Sequence, residues 1–99
     1  MTYDNRPIET SDVPILYQNL PNPFDKNTEI SYYLPRRTLS ANLFLYDMQG
    51  TQIKNLEIKQ TGQGIEIIHG SELRPGMYLY TLIVDGREVD TKRMILTQK

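Results

Sequence analysis

The feature that most constrains the fold is a series of short apolar segments separated by turn-forming residues. From Thr28 onward these segments recur about every ten residues, and turns containing glycine or proline stand between them. No segment carries the period of an amphipathic helix over a helical length. This spacing predicts an all-β fold, an antiparallel β-sandwich of six to seven strands, with a β-barrel as the alternative.

The longer segments predict strands that differ in burial. Residues 28–34 alternate between apolar and polar positions, which is typical of a strand with one buried face. Residues 41–47 are apolar on both faces, so we expect a central strand covered on both sides. Residues 77–84 form the longest apolar run and predict a buried strand. Asp85 and Gly86 follow it and predict a type I′ hairpin turn, because both residues tolerate positive φ.

Two segments depart from simple alternation. A step of three positions separates Ile53 from Leu56, and this spacing predicts a bulge or a bend. In the next segment Ile65 and Ile67 share one face, and Ile68 lies on the other. Both segments are therefore expected to be strands with apolar side chains on more than one side.

Composition limits the classes of partner. The 99 residues carry a formal net charge of −1, and their basic residues are scattered apart from the pairs at 36–37 and 92–93, so no nucleic-acid partner is predicted. The lack of cysteine excludes a disulfide framework and thiolate chemistry. No apolar run reaches membrane-spanning length, so no membrane insertion is expected. The sequence fits either a cytoplasmic protein or the C-terminal piece of an exported one.

No group of residues predicts catalysis, a metal or a cofactor. His69 is the only histidine, and it has neither a cysteine nor a second histidine to join it as a metal ligand. Ser71 lies two positions further on, but no third group is evident to orient such a pair. Residues 25–29 resemble the start of a calcium loop and lack its glycine and its distant glutamate. We therefore expect a module that is not an enzyme.

The seven tyrosines and the first residues of the chain allow more than one interpretation. The tyrosines in strands are expected to pack in the core. The alternative is that some of them form a stacking platform for sugar rings or a surface for protein contact. Residues 1–15 are polar and contain two prolines, so they are expected to be a flexible linker or tail. Residues 19–24 contain Pro21 and Pro23 and predict a stiff segment that is neither helix nor central strand.

Four stretches add a pattern that local structure does not explain: LYQNLPNPFDKNTEISYYLP (16–35), LFLYDMQGTQIKNL (43–56), SELRPGMYLYTLIVDG (71–86) and TKRMILTQK (91–99). In this order they resemble the C-terminal sorting domains, type A family, of the type IX (Por) secretion system of Bacteroidota. The residues that carry the resemblance, for recognition or for structure, are Asn22, Pro23, Phe24, Thr28, Tyr32, Pro35, Asp47, Gly50, Gly76, Tyr78, Lys92 and Arg93.

The resemblance implies an immunoglobulin-like sandwich over residues 16–99 that acts as a non-catalytic sorting and anchoring module. It implies an upstream cargo domain in cis, the outer-membrane secretion machinery as partner and, in many members, a sortase. The implied route runs through the periplasm to the cell surface or the medium. The alternative is a β-sandwich interaction or adhesion module, a structural cap of a surface or fibre protein.

The resemblance also suggests a role for the prolines. Pro21 and Pro23 would limit how the sandwich swings relative to its cargo, and Phe24 would pack against a sheet as an anchor. A receptor could then read the final strand by adding a strand to its edge. The alternative is that the prolines only protect the edge of the first strand.

Overall fold

A computed structural model describes residues 12–97 and contains seven strands, with no α-helix in that range. The strands are β1 (Ile15–Leu16), β2 (Asn27–Leu34), β3 (Ala41–Asp47), β4 (Gln52–Glu57), β5 (Gly62–His69), β6 (Gly76–Val84) and β7 (Arg87–Leu96). A 3₁₀ turn, Gly70–Glu72, connects β5 to β6. The predicted all-β fold is confirmed.

The strands form two antiparallel sheets. One sheet has the order β1-β2-β5 and the other has the order β4-β3-β6-β7. Strands that are neighbours in sequence therefore often belong to different sheets, which is the Greek-key connectivity of immunoglobulin-like sandwiches. β4 pairs with β3 and makes theirs the sheet with four strands, an arrangement that also occurs among immunoglobulin-like sandwiches. The predicted immunoglobulin-like sandwich is confirmed, and the barrel alternative is excluded.

The core lies between the two sheets and takes alternate residues from each strand. Its largest fully buried apolar side chains are Ile30, Leu34, Leu43, Leu45, Ile68, Tyr80, Leu82, Met94 and Leu96. Each such side chain stabilises the fold by about 1.5–3 kcal/mol relative to an exposed position. Lys92, Met94 and Leu96 of β7 point toward this space, so the terminal strand is part of the core.

The central position of β3 is confirmed, but the prediction that it is covered on both sides is wrong. Leu43 and Leu45 are buried, whereas Phe44 and Tyr46 are half-buried on the outer face, with ring centroids 6.3 Å apart. Each sheet of a two-layer sandwich has only one face on the core. The aromatic residues at alternate positions of β3 therefore pack against each other on the outside.

Local irregularities follow the sequence closely. The register between β3 and β4 shifts at Leu45/Tyr46, where Ile53 is the extra residue, so the predicted bulge is confirmed. Asp85 and Gly86 have φ values of 51° and 81°, as a type I′ turn requires. Ile65 and Ile67 of β5 are about half exposed, at 53% and 50%, and this face of the sheet points to solvent.

The chain before β2 contains a strand that the sequence pattern did not predict. Ile15 pairs with Tyr33 and Leu16 with Tyr32 to form β1. A strand of two residues is too short to show alternation. Most of the predicted tail, residues 1–11, lies outside the described residues. Residues 12–97 contain no helix that is long and apolar enough to cross a bilayer.

Candidate recognition surface along the terminal strand

Residues 18–24, called the proline segment from here on, lie along the free edge of β7. The N–H of Phe24 donates to the carbonyl of Ile95 over 2.9 Å, and the N–H of Thr97 donates to the carbonyl of Phe24 over 2.8 Å. Phe24 and Leu96 thereby form a parallel β-bridge. The final residues of β7 therefore have hydrogen-bonded partners on both sides, β6 on one and the proline segment on the other.

Side-chain amides extend this cover along β7. Oδ1 of Asn22 accepts from the N–H of Ile95 over 3.0 Å, and Nε2 of Gln18 donates to the carbonyl of Arg93 over 2.7 Å. Pro21 and Pro23 offer no N–H, and the peptide bond before each is cis. The segment covers the edge of the last strand, and Leu20 also pairs with Glu29 of β2 through two backbone hydrogen bonds of 3.0 and 2.9 Å, so the edge of the predicted first strand is protected as well. Strand addition at this part of β7 requires the segment to leave.

A buried polar network holds the start of the proline segment. Asn19 and Tyr80 are fully buried, and Thr28 is 1% exposed. The N–H of Asn19 donates to the Tyr80 hydroxyl over 2.7 Å, and that hydroxyl donates to the carbonyl of Tyr17 over 2.9 Å. Nδ2 of Asn19 donates to Oγ1 of Thr28 over 2.9 Å, and Thr28 in turn donates to the carbonyl of Pro21 over 2.7 Å.

The electrostatics of Tyr80 reflect its position inside this network. Burial raises the pKa of Tyr80 from an ordinary 10.0 to about 12, because the phenolate would lose its hydration. The N–H bond from Asn19 acts in the opposite direction, and the nearby Asp90 carboxylate raises the pKa further. The hydroxyl therefore stays protonated at neutral pH, and it can donate and accept at the same time.

Phe24 is the apolar anchor of the segment. Its side chain is 3% exposed and belongs to the core cluster. The chain passes close by at Gly70, where a Cβ would lie 2.8 Å from the carbonyl oxygen of Asp25 and 3.0 Å from Cδ1 of Leu96. Only a residue without a side chain fits there, so the 3₁₀ turn packs directly against Leu96 and against the backbone of Asp25, the residue after the anchor.

Comparison with known proteins identifies the family. The family described as the secretion system C-terminal sorting domain matches residues 19–97. The chain belongs to this family. The match begins within the proline segment and ends just after β7, so it includes both partners of the covered edge. A search of curated proteins finds no match.

The basic pair of the sorting domain divides between the two faces of β7. Lys92 is half-buried on the core-facing side, and its Nζ lies 3.4 Å from Oδ2 of Asp90. Arg93 is exposed on the outer face, where it stands opposite Leu79, which in turn stands opposite Tyr46. A mixed row of basic, aliphatic and aromatic side chains therefore crosses the outer face beside the covered edge.

Two other residues of the predicted set lie close to this surface. Gly76 and Tyr78 begin β6 and pair with Leu96 and Met94 of the terminal strand. Tyr78 is buried, and its hydroxyl donates to the carbonyl of Arg74. Together with Asn22, Phe24 and the basic pair, these residues surround the last part of β7, and Thr28 joins them through the buried network.

The remaining predicted residues lie elsewhere. Asp47 and Gly50 form the turn between β3 and β4, where Oδ1 of Asp47 accepts from the N–H groups of Gln49 and Thr51 over 2.9 Å each. Tyr32 is buried in β2, and Pro35 is buried directly after the end of that strand. Burial, with a smaller contribution from the Glu66 carboxylate, raises the pKa of Tyr32. These four residues form a turn or are buried away from the terminal strand, and their role in recognition stays a prediction.

The sequence pattern did not single out Gln18, Asn19 or Tyr80 for this surface. Gln18 and Asn19 precede the prolines and look like ordinary loop residues. Tyr80 looks like the other tyrosines of the strands. The one available signal is that two amide side chains stand directly before a segment poor in N–H groups, where an amide can supply the missing hydrogen bonds.

His69 and the 3₁₀ turn that follows it are engaged in structural contacts. Nδ1 of His69 lies 2.9 Å from Oδ1 of Asn27, in the stretch that resembles a calcium loop. Nζ of Lys54 lies 2.7 Å from Oε1 of Glu72, and this hydrogen-bonded lysine lowers the pKa of Glu72. Within residues 12–97, no three histidine, aspartate or glutamate side chains are grouped to hold a metal ion.

Proposed function

We propose that this sorting domain is a non-catalytic module that directs an upstream cargo, attached in cis, through the type IX secretion system to the cell surface. The observation that supports this most strongly is the family match over residues 19–97, which includes most of the proline segment and the whole of β7. On this proposal the domain passes through the periplasm, and a sortase acts on it afterwards in those hosts that attach cargo to the surface.

The geometry suggests how the secretion machinery reads the domain. Because the proline segment occupies the edge of β7, the accessible part of the strand is its outer face, with Arg93 at its centre. The same segment ties the chain that leads to the cargo to a fixed position on β7, through Gln18 and Arg93. The receptor therefore meets the outer face at a constant distance from the cargo linker.

The test is export of a reporter fused in front of the full chain in a type IX-competent host. We expect wild-type fusions on the surface and Arg93→Ala fusions retained in the periplasm. Removing residues 91–99 would also delete the buried Met94 and Leu96, so the point variant is the sharper test. The matched control is Arg36→Ala, because Arg36 is exposed in the connection before β3.

Surface delivery of the Arg93→Ala fusion at the wild-type level would contradict reading through this face. Retention of the wild-type fusion itself would contradict the sorting function. Circular dichroism of the purified variants distinguishes loss of export from loss of folding. We expect the Arg93→Ala variant to be folded, because an exposed side chain contributes little to stability.

A second candidate, a β-sandwich interaction module, is favoured by one observation. The outer side of the three-stranded sheet exposes Tyr17, Leu20, Ile65 and Ile67, at 38%, 71%, 53% and 50%. β5 is also the last strand of that sheet, and an open edge can pair with a second copy of the domain. The occupant on this candidate is an identical chain, paired β5 to β5.

Sedimentation velocity tests this candidate. A dimer that dissociates in the Ile65→Thr/Ile67→Thr variant and persists in Ile53→Thr, an exposed position on β4, would support it. A wild-type chain that stays monomeric over the accessible concentration range would contradict it.

A further inference from the structure

The two ends of the described chain run side by side in the same direction. Gln18 contacts the carbonyl of Arg93, Asn22 contacts the N–H of Ile95, and Phe24 bonds to both Ile95 and Thr97. The contacts advance along both segments together, which agrees with the parallel bridge between Phe24 and Leu96. The described chain therefore approaches Gln18 from the side where β7 begins, and it reaches Thr97 where β7 ends.

This arrangement determines how a pulling force acts on the hydrogen bonds. A force applied to the two ends of the chain slides the proline segment and β7 past each other along their length. The four hydrogen bonds that join Gln18, Asn22 and Phe24 to backbone groups of residues 93–97 are then stretched together. A force that separates two strands from one end would instead break such bonds one after another, each against a small net energy.

The buried network strengthens the grip on the N-terminal side. The Tyr80 hydroxyl binds the backbone of both Tyr17 and Asn19, and Tyr80 belongs to β6, an interior strand of the four-stranded sheet. Phe24 is buried at the other end of the segment. The proline segment is thus fixed at both ends, and sliding it requires the removal of an aromatic ring from the core and the exposure of buried polar groups.

We propose that the proline segment and β7 form a mechanical clamp, which keeps the domain folded when its two ends are pulled apart. The geometry makes the resistance greatest when the force pulls the N-terminal side of the domain, which leads to the cargo, away from the end of β7. This property belongs to the fold and does not depend on the sorting function, so the two can fail separately.

Single-molecule force spectroscopy of the full chain tests the clamp. The chain has no cysteine, so introduced thiols are unique attachment points. In one geometry the handles are attached at the two chain ends. In the other, one handle is on Arg74→Cys, exposed just before β6, and the other is at the C-terminal end, which peels β7 from its partners.

We expect the force of unfolding between the two ends to exceed the peeling force about two- to fourfold at the same loading rate, because up to four bonds are loaded together. The Gln18→Ala/Asn22→Ala variant should lose much of this excess and leave the peeling force nearly unchanged. The control Asn42→Ala removes a bond to Asn55 of 2.8 Å on the opposite side of the same sheet and should retain the excess.

Equal forces in the two geometries would overturn the proposal. The proposal would also be overturned if the Gln18→Ala/Asn22→Ala variant kept as much of the excess unfolding force between the two ends as the Asn42→Ala control does. Thermal unfolding of each variant, followed by circular dichroism, verifies that the chains under load are folded at the start.

Discussion

The backbone N–H of Asn19 donates a 2.7 Å hydrogen bond to the hydroxyl of Tyr80, a residue 61 positions further along the chain. The same hydroxyl donates to the carbonyl of Tyr17. One phenolic oxygen therefore satisfies two backbone groups of the segment that leads from β1 to the edge of β7. This contact ties the segment between β1 and β2 to a central strand of the other sheet, and it is part of the buried polar network that also contains Thr28.

Tyr80→Phe should lower the free energy of unfolding by about 1–3 kcal/mol, because it leaves the buried N–H of Asn19 and the partly buried carbonyl of Tyr17 without their partner. The ring is kept, so packing is nearly unchanged. Urea denaturation measures the difference. Tyr46→Phe, on the outer face of β3, is the control and should change stability by less than about 0.5 kcal/mol. Equal effects of the two changes would argue against the network.

Stability should fall at alkaline pH, and Tyr80 should account for part of the fall. Its pKa is raised to about 12 in the folded chain, so its contribution is complete below the ordinary value of 10.0 and is lost as the pH rises toward about 12. Above pH 10 the unfolded chain releases this proton more readily, so unfolding is favoured. Denaturation series from pH 8 to pH 12 should give a shallower decline for Tyr80→Phe. Some decline should remain, since the pKa of Tyr32 is also raised. Identical slopes for variant and wild type would refute this assignment.

The turn between β6 and β7 should depend on the oxygen of Asp85. Oδ1 of Asp85 accepts from the N–H groups of Leu39 and Ser40 over 2.9 Å each, and the residue has φ +51°. Asp85→Ala loses both acceptors and disfavours positive φ, so we expect a loss of about 1–3 kcal/mol. Asp85→Asn keeps an acceptor oxygen and tolerates this backbone, and should retain most of the stability. Thermal unfolding distinguishes the two, and an alanine variant as stable as the asparagine variant would contradict the account.

Gly64 should resist substitution because the ring of Tyr32 lies across it. A Cβ at Gly64 would stand 2.6 Å from Cε1 of that ring, which is itself buried. Gly64→Ala should therefore destabilise the chain by about 1–3 kcal/mol through overpacking. In the Tyr32→Leu background the same change should cost less, and a double-mutant cycle measures this coupling. Strict additivity of the two changes would rule out the contact.

Local features were predictable from the sequence, and pairings between distant segments were not. The Asp85-Gly86 turn and the bulge at Ile53 follow from a few adjacent residues with strong backbone preferences. Whether Ile65 and Ile67 face the core depends on which side the second sheet occupies, and alternation alone does not specify that side. The sandwich itself was predictable because strand spacing is a property of the whole chain.

The covered edge of β7 could not be read from the sequence for a similar reason. Asn22 and Ile95 are 73 positions apart, and the contact is made by a side-chain amide within a segment that shows no alternation. The family resemblance marked Asn22 and Phe24, yet it gave no pairing partner for either residue. Gln18 and Asn19 lie within the first of the four stretches, yet neither is among the residues that carry the resemblance.

The central claim is that the proline segment and the terminal strand form one hydrogen-bonded unit, and amide hydrogen exchange by NMR tests it most directly. The N–H groups of Ile95 and Thr97 bond to the segment, so in the full chain both should exchange at least about 100-fold more slowly than in an unfolded peptide. Asn22→Ala should accelerate the exchange of Ile95 more than that of Thr97, because the N–H of Ile95 donates to Asn22 whereas the N–H of Thr97 donates to Phe24. Exchange of both amides at the unfolded rate in the wild-type chain, with the rest of β7 protected, would contradict the claim.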